Sequence, residues 1–389
     1  MARWWCGGPL GLYLWGVSAL GLGGCDQEYV VGASGLTAIP GAAVVSAPTA
    51  VALGDLDGDG ALDAAYLDAA SQVCTLRGHS DGSLVPAVCV PLGEPAAALG
   101  IAALGPTAQA TLLVAGRSLT AYTAQPDLTP TLPVRYPLTG AATALRLAYV
   151  RCDGAAELGG CRRDVLVSDG SASEVAVFFA SASADGSLRG PQRFPVGIKP
   201  VALLFADLDG DGSAELITAS PGSVPLTILG ARGVAGFTGC SDGRVQPVLG
   251  RPSALAALDL DHDGRRVLVV ADAADASLRL FRVARAGVFT LDCGEAAESR
   301  LPVAADPLAL ATADFDGDQV EDLLIAHGSP SGLSLLLTGP GGLRAPRVYA
   351  VGSAIRGIAV DDLDHDGRPD VVIASSGDKT IRILRSTFR

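Results

Sequence analysis

PVGIKPVALLFADLDGDGSAELITAS, residues 195–220, carries the reading of the whole chain. A seven-residue tag (195–201) leads into a short apolar run, Val201-Ala202-Leu203-Leu204-Phe205, then an acidic turn, then a second run, Glu215-Leu216-Ile217-Thr218-Ala219. Both runs are short, rich in branched and aromatic residues and bounded by Gly and Asp, which makes them β-strands. The tag recurs as AVVSAPT (43–49), PLGEPAA (91–97), PLTGAAT (137–143), VLGRPSA (248–254), PVAADPL (302–308) and AVGSAIR (350–356), giving seven copies 46 to 58 residues apart.

In most units a third run follows, as in Leu226-Thr227-Ile228-Leu229 or Ile381-Arg382-Ile383-Leu384. A hairpin signal comes next, such as Asp185-Gly186, Asp242-Gly243 or Gly341-Gly342, whose residues accept the positive φ of a two-residue turn. The tag then ends a fourth strand. Four antiparallel strands in about 50 residues, repeated, predict an all-β seven-bladed β-propeller of four-stranded blades, each sheet burying its faces on its neighbours. The last unit stops soon after its third strand, and residues 42–46 offer an orphan strand ahead of the first. Pairing the two closes the ring, completes the last blade and removes a free sheet edge. An open solenoid of the same repeats would need capping units, which the sequence does not show.

Four units carry a D-x-D-x-D-[GQ]-x-x-[DE] loop between their first two strands. The copies are Asp55, Asp57, Asp59, Asp63; Asp207, Asp209, Asp211, Glu215; Asp314, Asp316, Asp318, Asp322; and Asp362, Asp364, Asp366, Asp370. Alternate carboxylates in a tight turn point inward, and Ca²⁺ takes about six to eight oxygen ligands, so about four structural calcium sites are expected. Gly at the sixth position permits the sharp turn, and Gln319 replaces it in one copy. An EF-hand would need a carboxylate at position twelve, where this chain has Tyr66, Thr218, Ile325 or Ile373 inside strands. A fifth copy, Asp259, Asp261 and Asp263, has Val267 at the ninth position and Arg265 and Arg266 beside it, so weak binding or none is expected. The second unit, Leu104-Gly105-Pro106, has no acids, and the third keeps only Asp153 and Asp164.

This pattern resembles the FG-GAP or VCBS repeat family, the propeller repeats of integrin α chains and of many exported bacterial proteins. The likeness spans nearly the whole chain after the leader and implies that the sixteen loop residues named above bind Ca²⁺. Literal Phe-Gly and Gly-Ala-Pro tags are missing, so the likeness is to the VCBS style of the repeat.

The opening MARWWCGGPLGLYLWGVSALGLGGC has one cation, an apolar run and then Leu22-Gly23-Gly24-Cys25, which resembles a lipoprotein signal peptide and lipobox. The expected organisation is a signal peptide over 1–24, a tether over 25–40 and the propeller over 41–389, lipidated at Cys25. An exported protein held on a bacterial membrane, on the periplasmic side or at the cell surface, follows from that reading. An uncleaved span would need about 20 apolar residues. Six cysteines remain, an even number suited to an oxidising compartment: Cys74 with Cys89 across a hairpin, Cys152 with Cys161 around one loop, and Cys240 with Cys293 between neighbouring repeats are the expected disulfides.

Acids outnumber bases 41 to 28 for a net charge of −13, which excludes a nucleic-acid partner, since phosphate binding needs clustered cations. Four calcium ions would supply eight positive charges against that deficit. The chain is 49% apolar and 18% charged, the composition of a packed domain. Of the four histidines, His262 and His365 fall at variable loop positions expected to face solvent, while His79 and His327 sit beside strands. No HExxH, Walker loop or Rossmann fingerprint occurs. The expected role is therefore a monomeric binding or scaffold module for a protein or glycan partner, not an enzyme. The alternative is a polysaccharide-active, lyase-like enzyme on the same scaffold, which would need Arg, Lys, Tyr or His clustered on a rim or in the central channel.

Overall fold

The computed structural model describes residues 35–104, 110–150, 163–181, 186–222, 225–230, 239–240, 249–260, 263–285, 288–292 and 300–388. Every regular element among them is a β-strand, and among the described residues no helix is long and apolar enough to cross a membrane. The strands form seven blades in a ring, with inner strands Pro48–Gly54, Ala98–Ala103, Ala142–Ala148, Ala202–Ala206, Pro252–Leu258, Pro307–Ala313 and Ile355–Asp361. Each pairs antiparallel with the next strand outward, and in five blades the sheet continues to four strands in sequence order or through ring closure. The fourth blade shows three strands among the described residues. The fifth ends on Arg300–Pro302, and its long third strand, Ser277–Arg285, also pairs with Val288–Asp292.

The second strand of every blade is buried almost throughout, as in Asp63–Asp68, Val267–Asp272 and Asp370–Ser375. Those stretches read as continuous apolar runs because both faces of the sheet meet another sheet, the condition under which a strand loses its polar alternation. Seven apolar cores result, one in each seam between consecutive blades. The core joining the last blade to the first holds Ala42, Val51, Tyr66, Val372 and Ile383, so the ring is closed.

Closure uses Leu36–Ala43, which lies antiparallel to Thr380–Ser386 with Leu36 opposite Ser386 and Ala43 opposite Thr380. The strand thus lies several residues ahead of the 42–46 expected from sequence, and it begins inside the stretch read as tether. The Ala-Val-Val run drew the sequence reading by its β-propensity, yet Val45 stands 92% exposed beyond the strand. A bulge between Ile39 and Ala42 lets Pro40, which has no N–H to give, sit in the ladder. Gly41 is required there, since a Cβ would lie 2.3 Å from the Ile381 carbonyl oxygen.

Cys74 and Cys89 stand opposite one another on adjacent strands of the first blade and form the expected disulfide. Cys240 lies in the short strand Gly239–Cys240, paired with Val288–Asp292. Cys152, Cys161 and Cys293 lie outside the described residues, as do the leader, Cys25, Asp153, Asp185, and the Asp242-Gly243 turn. The Gly341-Gly342 turn joins the small hairpin Thr338–Gly339 and Gly342–Leu343.

Candidate metal centres

Each acidic loop connects an inner strand to the buried second strand, so all of them fall on one rim of the ring. The first carboxylate shapes the turn. Asp55 accepts the Gly58 N–H on Oδ1 at 2.7 Å and the Gly60 N–H on Oδ2 at 3.0 Å. Asp207 and Asp314 repeat this on residues three and five further along, and Asp362 does so on Asp366 and Gly367. The sixth position has the positive φ expected of it: +91° at Gly60, +85° at Gly212 and +84° at Gly367. Gln319 is forced to +68°, a conformation that costs a residue with a Cβ about 1 kcal/mol.

The residue between the first two acids was an unassigned x in the sequence pattern. It is Leu56, Leu208, Phe315 or Leu363, and each is buried in the seam core between its own blade and the next. Leu260 does the same in the fifth blade. Apolar residues at that position in all five copies were a legible signal that the acids on either side obscured.

The ninth carboxylate is a clasp. Asp63 accepts the Leu56 N–H at 2.9 Å and the Gly78 N–H at 2.8 Å, tying the turn to the third strand. Asp322 binds Phe315 and Thr338 in the same way, Asp370 binds Leu363 and Ser386, and Glu215 binds Leu208. Burial pushes Asp63, Asp322 and Asp370 up to about 6 and Glu215 up to about 7, against the pull of those backbone N–H groups; neighbouring loop carboxylates push the same way. Burial therefore favours the neutral form of these acids, and a nearby cation would favour the charged one.

Three carboxylates meet in each of the four turns, with oxygens within 4.8 Å of one another: Asp55, Asp57 and Asp63; Asp207, Asp209 and Glu215; Asp314, Asp316 and Asp322; Asp362, Asp364 and Asp370. The acid at the fifth position of each loop stands outside these groups. Asp59, Asp211, Asp318 and Asp366 accept the N–H two residues on, at 2.8, 2.7, 2.9 and 2.9 Å. An all-oxygen set with a desolvated carboxylate at its base fits a hard divalent cation, and the Oδ1 of Asp364 is buried without a hydrogen bond. Two turns already hold some countercharge: Arg77 pairs with Asp57, and Arg385 with Asp364 at 3.2 Å. Both arginines come from third strands, which no spacing rule in the loop reveals.

In the fifth copy Asp259 keeps its turn bond to Gly264 and Arg265 lies 4.0 Å from Asp263, while Asp261 is outside the described residues. Arg266 leaves the turn altogether and binds Glu321 of the sixth blade at 2.6 Å. His365 is exposed as expected and also donates from Nε2 to the Gly60 carbonyl of the neighbouring turn, at 3.0 Å. His327 is not peripheral: it is buried in the sixth blade against the Ser334 hydroxyl, at 2.9 Å.

Of the side chains that catalysis in the channel would need, the structure brings Arg146, Tyr149, Arg163 and Arg266 to its wall, with no Lys or His among the described lining residues. Arg163 lies over the Tyr149 ring, its guanidinium carbon 5.8 Å from the centroid, and Arg266 is held by Glu321.

A family model described as FG-GAP-like repeat matches residues 314–373, from the first acid of the sixth turn into the second strand of the seventh blade. No curated protein matches the chain. Among solved structures it is similar to two crystal structures of BBS1N in complex with ARL6DN, one soaked with lead and one with mercury. Both give a TM-score of 0.62, at 14% and 13% identity, over 91% of this chain and 97% and 94% of theirs. At that identity the likeness is one of fold. The protein is a seven-bladed β-propeller containing an FG-GAP-like repeat, a scaffold suited to binding.

Proposed function

We propose that this is an exported propeller, lipid-anchored through Cys25, whose four acidic turns hold Ca²⁺ as a structural ion and whose surface binds a protein or glycan partner. The observation that carries the reading is the buried ninth carboxylate at the base of four convergent three-acid groups. The first acid shapes the loop, the ninth fastens it to the third strand, and the third aims across the gap between them. Calcium, when bound, supplies the countercharge that lets all three stay ionised. The solved propellers of similar fold, captured in complex with ARL6DN, support partner binding as the use of such a scaffold.

Melting the protein in calcium, in magnesium and in chelator tests the metal. Calcium at a hundredfold excess over Kd adds about 2.7 kcal/mol per site. The expected result is a higher Tm in calcium than in either other condition, and an identical melt on chelation would defeat the proposal. Binding screens on immobilised glycans and on cell-envelope proteins test the partner, and the mass of the mature N-terminus tests lipidation at Cys25.

A further inference from the structure

Each inner strand is paired on one side only, and the seven together wall a central channel of about 820 Å³. Strand register makes positions on that wall comparable between blades. One position, set two residues before the end of the paired inner strand, is occupied by Ala52, Ile101, Leu204, Ala256, Ala311 and Ala359 in six blades, facing Ala65, Leu112, Ile217, Val269, Leu324 and Val372. In the third blade the same position, facing Leu166, is Arg146. All seven residues line the channel, so one cation stands in an otherwise apolar ring.

Arg146 is fixed by the strand beside it: its Nε donates to the Leu203 carbonyl at 3.0 Å. That bond sets the plane of the guanidinium and leaves the Nη1 and Nη2 fork without a carboxylate among the described residues. The side chain is exposed to the channel. An arginine stays charged. The two carboxylates that also line the channel are occupied locally: Asp207 binds two N–H groups of its own turn, and Asp361 accepts the Asp362 N–H at 3.0 Å. An exposed guanidinium whose fork has no carboxylate partner is placed to take an anion from the channel.

We propose that the channel is a binding site for a small organic carboxylate, its charged head on the Nη1 and Nη2 fork of Arg146 and its apolar body against the alanine and leucine side chains of the neighbouring inner strands. The planar fork matches a carboxylate through two parallel hydrogen bonds. The site is built on Arg146 and not on the acidic turns, but Asp207 of one turn shares the channel wall, so the titration is run at one fixed calcium concentration.

The test is calorimetric titration of the full chain at fixed ionic strength with butyrate, with its uncharged isostere butyramide and with inorganic phosphate. Butyrate is expected to bind one per chain and more tightly than phosphate, and butyramide not at all. Arg146→Ala places in the third blade the residue that the first, fifth, sixth and seventh already carry, and is expected to weaken butyrate by at least about tenfold. Equal butyrate affinity in the variant and the parent overturns the proposal, as does failure of butyrate to bind the parent. Phosphate binding more tightly than butyrate overturns the organic ligand. Should the variant not fold, the parent's melting curve decides: a Tm raised by butyrate over butyramide supports the site, and equal shifts overturn it.

Discussion

The first and second blades each bury a leucine just after the inner strand, but differ in the residue that faces that strand's end. In the first, Leu56 is wholly buried in the seam and the clasp position is Asp63; in the second, Leu104 is wholly buried in the next seam and the residue facing the end of the inner strand is Ala110. Both blades are complete four-stranded sheets. A propeller blade therefore needs the apolar pin and does not need the acids. Asp63 adds two hydrogen bonds, but it also brings a desolvated charge beside Asp55 and Asp57.

The strongest challenge to this comparison is to remove the pins. Leu56→Ala and Leu104→Ala should each cost about 2–5 kcal/mol in chemical denaturation, the usual loss for a buried leucine, and equally in calcium and chelator. A cost at Leu56 that vanishes in chelator would mean the first turn is held by its acids after all.

Acidity separates the two blades next. In chelator, Asp63, Asp322 and Asp370 titrate at about 6 and Glu215 at about 7, above the 3.8 and 4.5 of the unfolded chain. A carboxyl whose folded pKa is raised stabilises the fold in its protonated form, a contribution fully present below the unfolded pKa and lost as pH rises through the folded one. The metal-free protein should thus gain from these groups as pH falls from about 7 toward 4, while protons displace calcium from the loaded one. Melting temperatures with and without calcium are expected to converge over that range. Parallel curves would show that the clasp acids do not bind the ion.

The smallest effect lies within one turn. Asp59→Asn keeps an oxygen for the Ala61 N–H and leaves the three-acid group whole, whereas Asp57→Asn removes a charge from it. The calcium-induced rise in Tm should fall more for Asp57→Asn than for Asp59→Asn. Equal losses would bring the fifth-position acid into the site.

The blade count and the acidic turns were readable because both are local: strand length, turn chemistry and carboxylate spacing lie within a few residues of one another. Features that depend on register were not. Arg77 reaches Asp57 from the third strand, 20 residues away, and only the pairing of strands brings them together. The N-terminal strand was misplaced by a few residues because a β-prone Ala-Val-Val run outweighed a stretch interrupted by Pro40 and Gly41. Arg146 sits in the sequence ATALRLA and looks like an ordinary strand residue until the seven inner strands are laid side by side.

The closing strand has a consequence for how the molecule is made. Thr37 and Thr387 touch through their hydroxyls at 3.1 Å although 350 positions separate them. A chain emerging from its N-terminus can stack six blades in order, but its opening segment must wait, edge unsatisfied, until synthesis reaches the final hairpin. Closure of the circle is thus expected to come late in folding and to be slow, since the contact spans 350 positions. A product cut short before Thr380 would carry two raw sheet edges, the condition that invites one copy to complete another.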